Sequence, residues 1–164
     1  MPQPTDHELS ALRDAIRLSE EARKAGNMPF GAVLLAPDGA VLASTQNTIV
    51  TGRDLTAHAE INALRAASAT FTAQQIAAAT MVASGEPCPM CSGAMVRLGI
   101  RRVIFGIRAS VATPYLPNAA GVLAVGINCR DILALSPVSA EVMGPVIEDE
   151  ARAPFEALAA RGSG

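Results

Sequence analysis

Two short motifs about thirty residues apart constrain the fold of this chain more than any other feature of its sequence. The first contains His58 and Glu60, and the second contains Cys88 and Cys91 in a Cys-x-x-Cys spacing. Zinc prefers thiolate and imidazole ligands, and with three protein ligands it keeps its fourth tetrahedral position open to water. The sequence therefore predicts that the fold gathers the imidazole and both thiols around one Zn2+ per chain. Glu60 is left as a spare acid or base.

These residue types predict hydrolytic chemistry at neutral pH. Zinc lowers the pKa of a coordinated water from about 15.7 to about 7. We expect Glu60 to be the catalytic residue that moves protons during hydrolysis, a role typically worth about 10² to 10⁴-fold in rate. The alternative, a closed structural zinc site, needs a fourth protein ligand. His7 and Cys129 are the only spare candidates, and neither lies in a knuckle-like spacing.

The residues around both motifs resemble the cytidine/deoxycytidylate deaminase superfamily. The pattern H-x-E followed by P-C-x-x-C is the signature of zinc nucleobase deaminases. The likeness is greatest to the branch of guanine deaminases, yeast-type cytosine deaminases and bacterial tRNA adenosine deaminases. It rests on Asn47 and on the segments 29–32, 58–65, 86–95 and 102–106.

The resemblance implies a three-layer α/β/α fold with a mixed five-stranded sheet, and it implies a homodimer. It also implies three substrate contacts: the Asn47 amide on the base, the Phe30 ring beside the pocket, and the backbone N–H of Ala59 facing the substrate. An amide suits a base edge because it both donates and accepts hydrogen bonds. The alternatives are an Asx turn at Asn47 and a core position for Phe30.

The hydrophobic pattern predicts an α/β chain that forms a single domain over residues 1–164, with a flexible tail at 161–164. Thr5 and Glu8 fit a capping box at the start of the first helix. Strands are predicted at 30–36, 41–46, 80–84 and 102–107. A short helical turn is predicted at 74–78, and two further helices begin at Thr56 or Ala57 and at Cys88.

The rest of the chain is predicted to shape the substrate pocket and complete the fold. Residues 108–121 show no clear period and contain two prolines, so we read them as a long functional loop. Tyr115 and Asn118 are its candidate substrate contacts. A short helix near 129–135, a strand near 141–146 and a final helix from 147 onward follow. Pro154 should kink or split that last helix.

The composition favours a small-molecule partner. The net charge is −2 and no cluster of Lys and Arg is visible, whereas proteins that grip nucleic acid usually carry a basic patch. Three cysteines are too few for a disulfide scaffold and suit a reducing compartment. The N-terminus lacks a secretory pattern and the longest apolar run is too short to cross a bilayer. We therefore expect a cytoplasmic protein that binds neither membrane nor nucleic acid.

Two parts of the sequence disagree about the substrate. The segment 29–32 and the residues from Cys88 to Cys91 look more like guanine deaminases, whereas 141–151 looks like the end of the tRNA-acting group. The charge favours a heterocyclic base that is not part of RNA, such as guanine or another aminopurine, cytosine or an amino-triazine. The alternatives are tRNA adenosine-to-inosine editing, deamination of guanosine or cytidine, and a non-catalytic partner subunit.

Overall fold

The computed structural model describes residues 3–117 and 126–161. Asn118 and residues 162–164 of the predicted tail lie outside these ranges, and Arg161 is the last residue of a helix. Across the described ranges, no helix has both the length and the hydropathy that a bilayer span requires. In chain order the elements are α1 (Asp6–Lys24), β1 (Gly31–Leu35), β2 (Val41–Gln46), α2 (Ala59–Ser68), α3 (Ala73–Ala77), β3 (Thr80–Gly85), α4 (Pro89–Leu98), β4 (Arg102–Ile107), α5 (Ala109–Ala112), a 3-10 turn (Thr113–Tyr115), α6 (Cys129–Leu133), β5 (Glu141–Met143) and α7 (Glu148–Arg161).

The strands form one mixed sheet in the order β2-β1-β3-β4-β5. The strand β1 runs antiparallel to both β2 and β3, whereas β3, β4 and β5 are parallel to one another. Every residue of β1 and β3 is buried, while the edge strand β2 is only partly covered. The prediction of an α/β fold with a mixed five-stranded sheet is confirmed.

Helices cover both faces of the sheet because alternate residues of a strand point to opposite sides. Ala32 and Leu34 of β1 pack into a cluster with α2, α3, α4 and α6. Val33 and Leu35 pack into a second cluster with α1, and α7 contacts α1 and β4. The two helical layers and the sheet between them form the predicted three-layer α/β/α arrangement.

Local signals set the ends of two helices. The Thr5 hydroxyl accepts a hydrogen bond from Glu8 N at 3.2 Å and the Glu8 carboxylate accepts one from Thr5 N at 2.8 Å, so the predicted capping box opens α1. Gly99 ends α4 with φ of 78°, a left-handed conformation that costs glycine little.

Three sequence-based expectations were wrong in detail. The segment 108–117 is not a plain loop, because it contains α5 and the 3-10 turn. The helix that carries His58 begins at Ala59 and not at Thr56 or Ala57, since His58 has extended backbone angles and is the N-cap. Pro154 does not split α7, which runs from Glu148 to Arg161 with Pro154 and Phe155 buried, while a kink at Pro154 stays a prediction.

A partly buried ionic network ties α1 to the strands β4 and β5 of the sheet. The Arg102 guanidinium of β4 donates to the Glu8 carboxylate of α1, with Nη2 to Oε2 at 3.0 Å, and also contacts Glu141 of β5. Glu8 is only 5% exposed. The hydrogen bond from Arg102 holds the pKa of Glu8 below its ordinary value.

Glu8 should therefore stabilise the fold in a pH-dependent way. A carboxyl whose pKa is depressed by folding contributes its full stability above its unfolded pKa, near 4.5, and loses it as pH falls through the folded pKa. We predict that Glu8→Gln lowers the free energy of unfolding by about 1.5–3 kcal/mol at about pH 7. The difference should shrink at about pH 3, as measured by urea unfolding followed by circular dichroism.

Glu150→Gln is the matched control. Glu150 pairs with Arg13 at 3.2 Å, but both side chains are about half exposed. Such a surface pair contributes less than about 1 kcal/mol. If Glu8→Gln lowers the free energy of unfolding no more than Glu150→Gln does, or by an amount that does not change with pH, the stabilising role of the Glu8–Arg102 pair is contradicted.

Candidate metal centre

Two helix N-termini on the same face of the sheet position the three predicted ligands. His58 is the N-cap of α2 and Cys88 is the N-cap of α4, both with extended backbone angles. Pro89 occupies the first position of α4, where its missing N–H costs nothing and its fixed φ favours helix initiation. Cys91 lies in the first turn of α4 and is fully buried. A helix start favours negative charge, so this placement suits thiolates.

The three donor atoms form a nearly equilateral triangle. His58 Nδ1 lies 3.6 Å from the sulfur of Cys88 and 3.6 Å from that of Cys91, and the two sulfurs are 3.6 Å apart. Tetrahedral coordination with Zn–S near 2.3 Å and Zn–N near 2.0 Å requires edges of about 3.5–3.8 Å. The donor set therefore fits zinc in both chemistry and spacing.

No further protein ligand fills the fourth position of this centre in the part of the chain that the structure describes. Within residues 3–117 and 126–161, the only group of three or more His, Cys, Asp or Glu side chains close enough to bind one metal ion is His58, Cys88 and Cys91. Cys129 is buried at the start of α6, where its thiol contacts Ser92. His7 lies in the first turn of α1 and is exposed. This arrangement matches an open site better than a closed structural one.

The protonation states of the triangle depend on one another. The hydrogen bond from Cys91, together with that from His58, lowers the pKa of the Cys88 thiol to about 4. The same contact with Cys88 raises the pKa of Cys91 well above its ordinary value, and burial adds to the effect. The Cys88 contact also raises the pKa of His58.

Glu60 lies beside the triangle in the first turn of α2. Its carboxyl is 4% exposed and contacts the Cys91 sulfur at 3.6 Å. Burial raises the pKa of Glu60, and among the described residues no Lys or Arg forms an ion pair with it. Burying a carboxyl away from Lys and Arg is costly, and the hydrogen bonds from its own backbone and from Cys91 offset only part of that cost. The position suits a group that holds and moves a proton.

Asn47 and Ala59 offer hydrogen-bonding groups at the ends of elements near this centre. Asn47 follows β2 and is 2% exposed. Its Oδ1 accepts a hydrogen bond from Ile49 N at 3.1 Å, as the Asx-turn alternative predicts. Its Nδ2 has no partner within the described residues. The N–H of Ala59 also lacks an acceptor there, as expected at a helix start. Both groups can donate a further hydrogen bond.

The aromatic candidates are packed against the protein. The Phe30 ring meets Phe155 of α7 edge-on, with centroids 5.3 Å apart at 78°. Tyr115 is half-buried against the cluster that contains Ile107 and Phe155. These contacts agree with the core alternative for Phe30, while contact of either ring with substrate stays a prediction. Asn118 is outside the described residues, so its predicted role stays a prediction as well.

A pair of carboxylates, not predicted from the sequence, fixes the segment after β4. Glu86, two residues before Cys88, accepts from Ala109 N at 3.0 Å. Glu148 accepts from Arg108 N at 3.1 Å and from the Arg108 guanidinium. The start of α5 is thereby fastened both to the cysteine loop and to α7. An acidic residue directly before the Pro-Cys pair was the available signal, but its partner lies 23 residues away in the chain.

Comparisons with known proteins agree with this geometry. A family model, the cytidine and deoxycytidylate deaminase zinc-binding region, matches residues 5–107. A protein of Schizosaccharomyces pombe named a probable cytosine deaminase is 38% identical over 152 residues, which cover 93% of this chain and 92% of that protein. The chain belongs to the cytidine and deoxycytidylate deaminase family.

Solved structures share the fold. A variant of the protein NE0047 in complex with 8-azaguanine matches with a TM-score of 0.80 and 26% identity, covering 96% of this chain and 86% of that one. A structure from work on A-to-I editing by tRNA:A34 deaminases matches with a TM-score of 0.69 and 25% identity, covering 89% and 99%. The relatives therefore support nucleobase deamination, and they differ in the substrates that their names give.

The triangle predicts which cysteines are needed to retain metal. We expect wild-type protein to retain about one zinc ion per chain after dialysis, as measured by atomic absorption. Cys91→Ala should lose nearly all of it, because two remaining donors do not complete the site. Cys129→Ala removes an equally buried thiol outside the triangle and should retain the wild-type zinc content. Loss of zinc from both variants would instead indicate a closed site with Cys129 as a ligand.

Proposed function

We propose that this protein hydrolytically deaminates a heterocyclic base that is not part of a nucleic acid, and releases ammonia. Guanine or another aminopurine, cytosine and amino-triazines are the candidate substrates. The observation that carries the proposal is the Glu60 carboxyl, which is 4% exposed, lies 3.6 Å from the Cys91 sulfur and has no Lys or Arg partner among the described residues. A protein that only stored a structural zinc would gain nothing from such a carboxyl.

Each side chain of the site has a distinct proposed role. His58, Cys88 and Cys91 would hold zinc, which supplies Lewis acidity and lowers the pKa of water when bound. Glu60, with its raised pKa, would carry one proton from water to the ring nitrogen and a second, from the hydroxyl group that has added to carbon, to the departing amine. The hydroxide oxygen adds to the amine-bearing carbon, and that carbon's bond to nitrogen then breaks to release ammonia.

The donors near the centre would orient the base. The unpartnered Nδ2 of Asn47 is suited to an acceptor on the base edge, and the N–H of Ala59 to a carbonyl oxygen or ring nitrogen. The side chains of Ala57 and Ala59 are small, which would let a flat ring approach the backbone closely. Phe30, Tyr115 and Asn118 remain proposed pocket residues.

Charge separates the free-base proposal from RNA editing. The chain has a net charge of −2, one Tyr and no Trp, so it offers little to grip phosphates or to stack a splayed loop base. The relative that this chain matches over 92% of the relative's length is named a probable cytosine deaminase. That name also supports a free base as the substrate. The likeness to tRNA:A34 deaminases keeps RNA editing as the rival outcome.

We also propose a homodimer that acts in the cytoplasm. The homodimer follows from family resemblance. Exposed apolar side chains at Val50 and Leu55, 55% and 85% exposed, provide surface that a second copy could cover. The cytoplasm suits a protein whose proposed ligands are reduced cysteines.

Ammonia release across a substrate panel tests the function. The zinc-loaded protein would be assayed with guanine, cytosine, adenine, an amino-triazine, guanosine, cytidine and an anticodon stem-loop RNA. We expect rapid turnover of one free base, because the chain lacks the basic surface that an RNA substrate needs. Turnover of the RNA alone would contradict the free-base proposal and favour tRNA editing.

Glu60→Gln is the control that separates catalysis from metal binding. The amide keeps the shape of the side chain but does not take up a proton, so turnover should fall by about 10² to 10⁴-fold while zinc content stays unchanged. A Glu60→Gln protein that retains both zinc and wild-type turnover would overturn the role of Glu60. Absence of turnover in the wild type on every substrate would favour a non-catalytic partner subunit.

A further inference from the structure

One side-chain amide connects the Asn47 loop to the metal ligand His58. Asn62 lies one turn beyond His58 in α2 and is half-buried. Its Nδ2 donates to the carbonyl of Gln46 at 2.9 Å, to the hydroxyl of Thr48 at 3.0 Å and to the carbonyl of Ala57 at 3.3 Å. These three acceptors come from two separate stretches of chain.

The three acceptors of the Asn62 amide lie next to Asn47 and His58 in the chain. Gln46 and Thr48 flank Asn47 on either side, and Ala57 directly precedes His58. Thr48 N also donates to the Ala57 carbonyl at 3.0 Å, so the two stretches already lie side by side. Asn62 therefore binds the backbone immediately around a proposed substrate donor and immediately before a proposed metal ligand.

The orientation of the Asn62 amide is fixed by its partners. Two of the three acceptors are carbonyl oxygens, which cannot donate, so the NH2 group must face them. An aspartate of the same shape would put a carboxylate oxygen against those carbonyls and replace attraction by repulsion. Neither Asn62 nor its acceptors need touch the substrate for this arrangement to matter.

We propose that Asn62 is a positioning residue that sets the distance between the Asn47 amide and the metal ligand His58. The proposal rests on the proposed function, because it gives Asn47 a role in binding the base. A displacement of about 1 Å in a reacting group lowers rates by as much as about 10²-fold. Asn62 would thus influence how the base is placed relative to the metal, while Glu60 and the zinc ligands keep their own roles.

A double-mutant cycle tests the proposal through kcat/KM on whichever base the panel identifies. We expect Asn62→Asp and Asn62→Ala each to lower kcat/KM by about 10 to 10²-fold while zinc content is unchanged. In an Asn47→Ala background the same changes should cost less than about threefold, because Asn62 acts through Asn47. Losses that simply multiply would show that Asn62 does not act through Asn47 and would overturn the proposal.

Amide hydrogen exchange provides a readout that needs no activity. The N–H of Ile49 is held by Asn47 Oδ1, so Asn62→Asp should accelerate its exchange if Asn62 fixes this loop. Ser68→Ala is the matched control, because it removes a side-chain hydrogen bond to a backbone carbonyl at the far end of the same helix. It should change neither this exchange nor kcat/KM.

The two readouts keep the proposals distinguishable. If no base is turned over by the wild type, the proposed function fails, and the exchange of Ile49 still decides whether Asn62 holds the loop. Unchanged Ile49 exchange in Asn62→Asp would overturn the positioning role even in an active enzyme.

Discussion

The meeting of two helix N-termini at a triangle of two sulfurs and one nitrogen organises this molecule. The edges of that triangle are 3.6 Å, and its corners come from α2 and α4, which are separated in the chain by α3 and β3. β3 leads through Glu86 and Pro87 directly to Cys88, so the sheet sets where α4 begins. Packing of α2 and α4 against the same cluster then brings His58 to the cysteines.

Hydrogen bonds around this triangle fix the loops next to it. Asn62 joins the two stretches that carry Asn47 and His58, and Glu86 joins the cysteine loop to α5. Each contact pairs a side chain with backbone groups of another segment, which fixes loops that have little apolar surface of their own. The result is a centre whose ligand spacing and nearby donors are set by the fold, a form of preorganisation that catalysis requires.

The three metal ligands and the acid or base beside them could be predicted from the sequence. Zinc prefers thiolate and imidazole ligands, so His58, Cys88 and Cys91 are the expected ligands and Glu60 is left over. The capping box at Thr5 and the end of α4 at Gly99 can also be predicted from the sequence, because each depends only on residues a few positions apart. The positions of Phe30, Glu86 and Asn62 could not be predicted, because their partners lie far away in the chain. The final helix was predicted, but its unbroken course through Pro154 was not, because the burial of Pro154 and Phe155 depends on tertiary packing.

The central claim is that His58, Cys88 and Cys91 hold zinc with one position open. Zinc K-edge X-ray absorption on the metal-loaded protein tests it most directly. The account predicts two sulfur ligands at about 2.3 Å, one imidazole nitrogen at about 2.0–2.1 Å and one further light-atom ligand supplied by solvent. A third sulfur, a second imidazole or a shell without sulfur would contradict it.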